Sequence, residues 1–316
     1  MKSVLILGAK GMLGQELVRT FSSDQSYAVT AWDREECDVT DFSSLAKKIA
    51  DLWPDIIINA VAYNAVDACE ESDDAYARAQ KINADMPGEL AKIAHTLQAT
   101  LIHYSTDYVF DGERPRQKDG KPSGCCGTKC DGCRYNGPEE SFPYFSYNEK
   151  DLPRPLSRYA QTKYAGEQNI EKQGGAYYII RLSKLFGKPG VGEGAKKSFF
   201  DIMKAKGKGD GAVRVVNGEM SKFTYAPDLA RATKSLIGDN AAPGIYHLVN
   251  ECAATWYDGA KELYALMNTN VTVTPIAPEE LPRPARRSAS SVLLNTKRPR
   301  LRDYREALKE YITTAL

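Results

Sequence analysis

The chain of 316 residues (34.9 kDa) is long enough for roughly two domains, or for one large α/β unit with a cap. Its 42% hydrophobic and 26% charged residues exclude bulk disorder, and a net charge of +1 argues against nucleic-acid and polybasic membrane binding. The longest apolar stretch falls far short of the ~20 residues that span a bilayer, and the first residues lack a signal-peptide core. We therefore expect a cytoplasmic protein.

Short apolar runs alternate with segments of helical periodicity along the chain. The apolar runs predict strands over residues 4–7, 27–32, 55–59, 100–105, 177–182 and 244–250. Helical periodicity covers residues 15–21, 42–52, 75–97, 158–171 and 225–236, and further short elements are expected within 255–267 and 303–314. Strands that are apolar on both faces are typical of a parallel sheet covered by helices. The segment 111–157 has neither periodicity and is too long for an ordinary loop, so it is an insert that is either functional or disordered.

Three glycines lie between the first predicted strand and the first helix. Gly8 allows the tight turn, Gly11 lets a pyrophosphate approach the backbone, and Gly14 lets the helix and strand pack closely. The helix N-terminus then offers free N–H groups to a phosphate. This strand–loop–helix context favours a dinucleotide site over a merely structural turn.

An acidic residue ends the second predicted strand. Asp33 lies about 20 residues beyond the glycines, where a carboxylate can accept both ribose hydroxyls of NAD. Arg34 follows directly and offers a charge to the 2′-phosphate of NADP. NAD is therefore favoured, while NADP stays open. Asp38 and Val39 follow in a turn that is expected to meet the adenine edge.

A tyrosine and a lysine lie four residues apart in a predicted helix. Tyr159 and Lys163 share one helix face, so the ammonium is expected to lower the pKa of the phenol from about 10. Such a tyrosine donates a proton to a carbonyl while a nicotinamide delivers hydride. Thr106 ends the fourth strand, at the edge where open α/β sheets bind ligands, and its hydroxyl can contact the same carbonyl. A strand-end turn is the alternative role for Thr106.

Seven segments resemble the extended short-chain dehydrogenase/reductase family, and within it the reductases of nucleotide-activated 4-keto deoxysugars. They are GAKGMLGQEL (8–17), PDIIINAVAYNAVDACE (54–70), LIHYSTDYVF (101–110), RYAQTKYAGE (158–167), GIYHLVN (244–250), TWYD (255–258) and PARRSASSVLLNT (284–296). The resemblance implies an α/β fold with a Rossmann doubly wound parallel sheet and a smaller α/β substrate-binding cap. The NAD(P)-binding domain would comprise residues 1–183 plus 224–250, including the insert, and the cap would comprise 184–223 plus 251–316.

The resemblance also implies roles for individual residues. It makes Thr106, Tyr159 and Lys163 catalytic. The residues expected to contact the cofactor are Gly8, Gly11, Met12, Leu13, Asp33, Asp38, Val39, Ala62, Tyr63, Asn64, Tyr159 and Lys163. The reacting sugar would contact Thr106, Asp107 and Tyr159. Lys184 stands where the family usually has an aromatic residue that packs on the sugar, so Lys184 is expected at the substrate.

A basic run extends from residue 283 to residue 302 without an acidic side chain. It contains Arg283, Arg286, Arg287, Lys297, Arg298, Arg300 and Arg302. Arginine forks match phosphate oxygens, so Arg286 and Arg287 are candidates for binding a nucleotide diphosphate. A solvated surface is the alternative interpretation.

Four cysteines lie within nine positions of the insert. Cys125, Cys126, Cys130 and Cys133 have spacings that resemble zinc or iron–sulfur sites, and Gly127 and Gly132 permit tight turns. A structural zinc ion or, less favoured, an iron–sulfur cluster would order the insert as a lid. A disulfide and free thiols are the alternatives.

The favoured function is NAD(P)H-dependent reduction of the 4-keto group of a nucleotide-activated deoxysugar. A nucleotide-sugar epimerase or dehydratase on the same scaffold is one alternative, although a dehydratase usually adds acidic residues and only Asp107 is present here. A non-catalytic NAD(P)-binding regulatory subunit is the other, and the presence of Thr106, Tyr159 and Lys163 argues against it. The expected partner is the nucleotide sugar, and a homodimer is left open.

Overall fold

The computed structural model describes residues 1–113, 146–192, 195–208 and 211–314. Its strands are β1 (Lys2–Leu7), β2 (Tyr27–Trp32), β3 (Ile56–Asn59), β4 (Thr100–Thr106), β5 (Ser146–Tyr147), β6 (Tyr177–Leu182), β7 (Leu185–Phe186), β8 (Ala212–Val216), β9 (Ser221–Lys222), β10 (Thr224–Tyr225), β11 (Gly244–His247), β12 (Ala253–Ala254), β13 (Thr272–Ile276) and β14 (Val292–Leu293). Its α-helices are α1 (Met12–Ser22), α2 (Phe42–Leu52), α3 (Ala68–Glu71), α4 (Asp73–Gln80), α5 (Met86–Leu97), α6 (Arg158–Gln173), α7 (Phe199–Lys206), α8 (Ala226–Gly238), α9 (Trp256–Leu266) and α10 (Tyr304–Thr314).

A six-stranded parallel sheet forms the centre of the fold, in the order β2-β1-β3-β4-β6-β11. The chain passes outward from β1 to β2 and then returns across β1 to β3. The carboxyl ends of β1 and β3 therefore form the switch point where open α/β sheets bind ligands. The predicted doubly wound Rossmann fold is confirmed.

Alternate residues of the sheet strands pack on opposite layers of helices. Val4, Ile6 and Ile58 belong to the core shared with α1 and α8, whereas Leu5 and Ile57 belong to the core shared with α2, α5 and α6. Each of these five side chains is at most 1% exposed. Burial of one such side chain contributes about 1.5–3 kcal/mol, so the period of two along each strand drives the layered arrangement.

The helix predicted over residues 75–97 is not continuous. A π-helical segment, Lys81–Asp85, separates α4 from α5. The extra residue in this turn places Asn83 in the interior, fully buried, where its amide bonds to the backbone of another loop. Sequence periodicity missed the break because one inserted residue shifts the apolar pattern only slightly. Such π-helical segments commonly occur at functional sites.

A second apolar cluster lies outside the central sheet. It contains Phe186, Phe200, Phe223, Leu263 and Tyr311, each at most 2% exposed. The cluster joins α7, α9 and α10 with the paired strands β8 and β13. These residues come mainly from the two segments expected to form a cap, and the exact domain boundaries stay a prediction.

No helix within the described residues combines the length and apolar character needed to cross a membrane.

Candidate active site

The glycine loop brings the end of β1 against the end of β3. Gly8 has a φ of +77°, which favours glycine, and a Cβ added there would lie 3.1 Å from the carbonyl carbon of Ala60. A Cβ on Gly14 would lie 2.0 Å from the carbonyl oxygen of Gly8, so only glycine allows this approach. Gly11 caps α1 without a side-chain hydrogen bond to the first turn. The first turn of α1, at Met12 and Leu13, is thus suited to bind a pyrophosphate.

The carboxylate of Asp33 joins the end of β2 to the glycine loop. Its Oδ2 accepts a hydrogen bond from the backbone N–H of Lys10 at 2.8 Å, and its Oδ1 accepts one from the N–H of Arg34 at 2.9 Å. The Lys10 ammonium pairs with Glu35 at 2.7 Å. Asp33, which is predicted to bind the ribose, therefore lies beside the glycine loop, with the basic residues Lys10 and Arg34 next to it.

The predicted adenine-edge residues lie in the turn before α2. Asp38 Oδ1 accepts hydrogen bonds from the backbone N–H and the hydroxyl of Thr40, both at 2.8 Å, and these bonds lower the pKa of Asp38. Val39 packs against the core under α2. The turn is therefore held by its own hydrogen bonds and by packing at the edge of the sheet.

The loop after β3 is held by a residue that sequence analysis missed. Asn83 accepts a hydrogen bond from the Tyr63 backbone N–H at 2.8 Å and donates one to the Tyr63 carbonyl oxygen at 2.9 Å. This pair of bonds fixes Ala62, Tyr63 and Asn64 next to the glycine loop. Asn83 also donates to the Thr162 hydroxyl at 3.1 Å, which ties the loop to α6.

Tyr159 and Thr106 come together although they are 53 positions apart in the sequence. The Tyr159 hydroxyl donates to Asn64 Oδ1 at 3.3 Å, and hydrogen bonding with the Thr106 side chain acts to lower the pKa of Tyr159. Thr106 Oγ1 also accepts the N–H of Tyr108 at 3.2 Å, so Thr106 is both a strand-end cap and a neighbour of the phenol. Burial raises the pKa of Tyr159, which keeps the phenol protonated.

Lys163 lies on the same face of α6 as Tyr159 but contacts a different group. Its Nζ donates to the carbonyl oxygen of Tyr104 at 2.7 Å. Burial lowers the pKa of Lys163 to about 8, against the opposing effect of the Glu167 charge. The expectation that the pKa of Tyr159 is lowered is therefore wrong, because desolvation of the phenol has the largest effect on that pKa.

A second pair of ionisable groups, Asp107 and Lys184, lies just beyond the carboxyl ends of β4 and β6. Asp107 accepts a hydrogen bond from Ser291 at 2.5 Å, and burial raises the pKa of Asp107 to about 6 despite the nearby Lys184 charge. Lys184 adopts a φ of +39°, unusual for a residue with a side chain, and donates to the carbonyl oxygen of Ala254 at 2.8 Å. Its Nζ lies 4.4 Å from the Trp256 ring centroid, and burial lowers the pKa of Lys184 to about 7.

The basic run is largely paired with acidic residues from elsewhere in the chain. Both ends of the Arg287 guanidinium bind the Asp67 carboxylate, at 2.8 and 2.9 Å, and Arg287 also donates to Ala285. Arg283 pairs with Glu219. Arg286 is exposed. Arg286 and Arg287 were both predicted to bind phosphate. Among the described residues, a carboxylate binds the Arg287 guanidinium, whereas none binds that of Arg286.

The four cysteines of the insert, Cys125, Cys126, Cys130 and Cys133, lie outside the described residues. Within the described part of the chain, no group of three or more His, Cys, Asp or Glu side chains could hold a metal ion. The zinc or iron–sulfur site stays a prediction.

A doubly wound sheet, a glycine loop at its switch point and a Thr/Tyr/Lys set at the adjacent strand end define an NAD(P)-dependent oxidoreductase of the short-chain dehydrogenase/reductase class. The family model described as the RmlD substrate binding domain matches residues 1–316. The chain therefore belongs to the RmlD family, and the resemblance seen in the sequence is confirmed.

Curated relatives and solved structures agree with this assignment. The chain is 29% identical to a dTDP-4-dehydrorhamnose reductase of Mycolicibacterium smegmatis, over 99% of this chain and 86% of the relative. It is 32% identical to a probable dTDP-4,6-dihydroxy-2-methyloxan-3-one 4-ketoreductase of Streptomyces antibioticus, over 97% of this chain and 93% of the relative.

Two crystal structures have the same fold over 99% of both chains compared. A dTDP-4-dehydrorhamnose reductase of Clostridium acetobutylicum is 32% identical, with a TM-score of 0.83. A dTDP-4-dehydrorhamnose reductase of Bacillus anthracis, in complex with NADP, is 27% identical, also with a TM-score of 0.83.

Proposed function

We propose that the chain catalyses NAD(P)H-dependent reduction of the 4-keto group of a dTDP-activated deoxysugar. The observation that carries the proposal is the convergence of Tyr159 and Thr106 at the carboxyl end of β4, beside the glycine loop. Relatives named as 4-keto reductases of dTDP sugars support the substrate class.

The cofactor fits the residues at the switch point. The first turn of α1 would hold the pyrophosphate, Asp33 the adenosine ribose, and Asp38 with Val39 the adenine edge. The loop of Ala62, Tyr63 and Asn64, with Lys163, would hold the nicotinamide end. When bound, the reduced nicotinamide supplies hydride to the carbonyl carbon of the sugar.

Tyr159 supplies the proton that completes the reduction. Its phenol donates the proton to the carbonyl oxygen as the carbon–oxygen π bond breaks, so the ketone becomes a secondary alcohol and Tyr159 becomes a phenolate. Thr106, whose hydroxyl donates to Asp107 Oδ1 at 3.2 Å in the structure, would turn to donate a hydrogen bond to the same oxygen. Asn64 orients the phenol, and burial keeps the proton on Tyr159 until a carbonyl is present.

We expect both NADH and NADPH to be used, with a modest preference for NADH. The Asp33 carboxylate repels a 2′-phosphate by about 1–2 kcal/mol at contact distance in water, and Arg34 offsets part of this. Asp33→Asn removes the charge but keeps an oxygen for the Lys10 N–H. Its ratio of kcat/KM for NADPH over NADH should rise about tenfold. The exposed Asp51→Asn is the matched control, and a wild type that strongly prefers NADPH would refute the Asp33 role.

Lys184 would give the sugar pocket a polar wall. A cation replaces the family's aromatic side chain, and it lies close to Asp107 at the reacting edge. A sugar substituent that accepts a hydrogen bond therefore fits better there than an apolar sugar face. A hydrogen bond to a charged group is worth about 1.5–3 kcal/mol, so the effect on affinity is about tenfold to a hundredfold.

This wall predicts a pH-dependent KM for the nucleotide sugar. The Lys184 ammonium is present below its pKa of about 7 and is lost as the pH rises through that value. The KM should therefore increase between about pH 6 and about pH 9 in wild type, and stay flat over this range in Lys184→Met. The exposed Lys188→Met should retain the increase. An equal increase in Lys184→Met would exclude this role for Lys184.

Arg286 is the stronger candidate for the diphosphate. Its guanidinium is exposed, whereas that of Arg287 is bound in a fork by Asp67. Arg287 would instead shape the pocket near Tyr108, since its charge influences the pKa of that phenol. The two ends of the Cys insert lie close together, because Asp111 and Arg154 form an ion pair at 3.4 Å. A metal-ordered lid stays our hypothesis for the insert between them.

Stoichiometric consumption of NADH with a dTDP-4-keto deoxysugar tests the proposed reaction. A reductase oxidises one NADH for each alcohol formed. An epimerase or dehydratase would convert the sugar without net consumption of NADH, and a regulatory subunit would bind NADH without turnover.

A further inference from the structure

A segment that follows β7 lies against the glycine loop. We call this segment, residues 187–191, the strap. The backbone N–H of Val191 donates to the carbonyl oxygen of Lys10 at 2.9 Å. From α1, Gln15 Nε2 donates to the carbonyl oxygen of Pro189 at 3.1 Å. The proposed reaction assigns no role to the strap, although these bonds join it to the loop that would bind the cofactor.

The strap approaches the glycine loop closely at Gly190. A Cβ added there would lie 2.9 Å from the carbonyl oxygen of Lys10 and 3.3 Å from the Cα of Gly11. A side-chain carbon would overlap the oxygen at this distance, so the contact requires glycine. A Cβ added to Gly192, directly after the strap, would lie 3.5 Å from the Cβ of Lys10, which is ordinary van der Waals contact. Of these two glycines, only Gly190 is therefore required for docking.

The docked strap borders the pyrophosphate site without filling it. Among the described residues, a Cβ on Gly11 would have only the carbonyl oxygen of Gly8 within 4 Å, at 3.2 Å. The side of Gly11 that a pyrophosphate approaches is therefore open, while the strap contacts the loop from its flank. Val191 is 68% exposed, so its peptide N–H, rather than burial of its side chain, holds the strap in place.

The strap belongs to the same part of the molecule as the second apolar cluster. Phe186 comes directly before the strap, and Phe200 lies in the first turn of α7 beyond it. Their rings are 5.0 Å apart, and each residue is at most 1% exposed. Nearby in the chain, Lys196 Nζ donates to the carbonyl oxygen of Asn64 at 2.7 Å. The predicted cap therefore contacts both loops between which the dinucleotide would bind.

We infer that the strap couples docking of the cap to binding of the dinucleotide. Lys10 is held by Asp33 at its N–H and by Val191 at its carbonyl oxygen, so the cap and the predicted ribose-binding residue fix the same part of the glycine loop. A loop that is already ordered costs less conformational entropy when its ligand binds. By linkage, the bound dinucleotide stabilises the docked strap to the same extent. The inference takes from the proposed function only that a dinucleotide binds at this loop.

Gly190→Ala tests this coupling because the added methyl group prevents close docking. The rate constant for NADH dissociation, measured by displacing fluorescent NADH with excess NAD⁺, should increase about threefold to tenfold, as expected for loss of one hydrogen bond. The association rate constant should change by less than about twofold, because the pyrophosphate face is open in both proteins. Gly192→Ala adds the same methyl group where it fits and should match wild type. Unchanged dissociation in folded Gly190→Ala, or an equal increase in Gly192→Ala, would contradict the inference.

Gln15→Met provides a second route to the same effect and decides the matter if Gly190→Ala does not fold. It keeps the length of the side chain but removes the donor to the Pro189 carbonyl oxygen. NADH dissociation should again be about threefold to tenfold faster than in wild type. The double variant should be no faster than the faster single variant, because both changes act by undocking the strap. Wild-type dissociation in Gln15→Met, or multiplied effects in the double variant, would count against the strap.

Hydrogen exchange of the wild-type protein measures the reciprocal effect. Saturating NADH should slow exchange of the Val191 amide about threefold to tenfold, because the docked strap is stabilised by the ligand. The amides of β8 are the internal control, since they belong to a ladder with β13 within the cap itself. Unchanged or faster exchange at Val191, or equal slowing in β8, would overturn the inference.

These measurements use NADH without a sugar, which separates the strap from the proposed reaction. The expected effects without turnover of a dTDP-4-keto deoxysugar would refute the reaction and leave the strap intact. NADH binding with identical kinetics in all variants would refute the strap alone. A wild-type protein that binds neither NADH nor NADPH would refute both.

Discussion

Tyr159→Phe is expected to lower kcat by about 10²–10⁴ while NADH still binds with nearly wild-type affinity. The change removes the proton donor but keeps the ring that fills the buried space, and general acid catalysis is typically worth this much. The 7% exposure of Tyr159 and its edge contact with Tyr108 show that the ring is well packed, so Phe should leave the fold intact. Kinetics at saturating NADH and a separate NADH titration measure the two effects.

Tyr164→Phe is the matched control for this prediction. Tyr164 lies on the same helix and also carries a phenol, but it is only partly buried and packs near Val109 and Phe110. Turnover in Tyr164→Phe should stay within about twofold of wild type, because the Tyr164 phenol takes no part in the proposed proton transfer. Equal rates for Tyr159→Phe and wild type would refute the assignment of Tyr159 as the acid.

Glu167→Gln is expected to lower the free energy of unfolding by about 3–5 kcal/mol. Glu167 and Arg181 are each 1% exposed and form a two-pronged ion pair at 2.6 and 2.9 Å, which joins α6 to β6. Removing one charge leaves the Arg181 guanidinium buried without compensation, and such a loss typically costs this amount. Arg181 also lies 5.1 Å from the Phe110 ring centroid, and at 1% exposure its guanidinium cannot regain water without disturbing the core.

Urea denaturation of Glu167→Gln, compared with wild type, measures this loss. Glu171→Gln, one turn further along α6 and exposed, should change stability by less than about 0.5 kcal/mol. Because α6 carries Tyr159 and Lys163, the unstable variant should also lose activity at lower denaturant concentrations than wild type. A cost below about 1 kcal/mol would mean that this ion pair does not hold α6 to the sheet.

Local patterns in the sequence were sufficient to predict a parallel sheet covered by helices and a glycine turn after its first strand. The apolar run at 4–7 predicted a strand of the central sheet, because burial on both faces requires uninterrupted apolar residues. The spacing of Gly8, Gly11 and Gly14 predicted a phosphate-binding turn, and the structure explains it by a positive φ and by contacts that leave no room for a Cβ. Each of these signals lies within a few residues of the feature that it predicts.

The polar partners of the site were decided only by the tertiary structure. Arg287 and Asp67 are 220 positions apart, and Ser291 and Asp107 are 184 apart, so no local pattern could pair them. The sequence by itself predicted a Rossmann sheet with Thr106 at the end of a strand and with Tyr159 and Lys163 on one face of a helix. Only the packed structure decided that burial keeps Tyr159 protonated and that Lys163 meets His103, because desolvation and hydrogen-bond direction depend on groups that distant strands bring together.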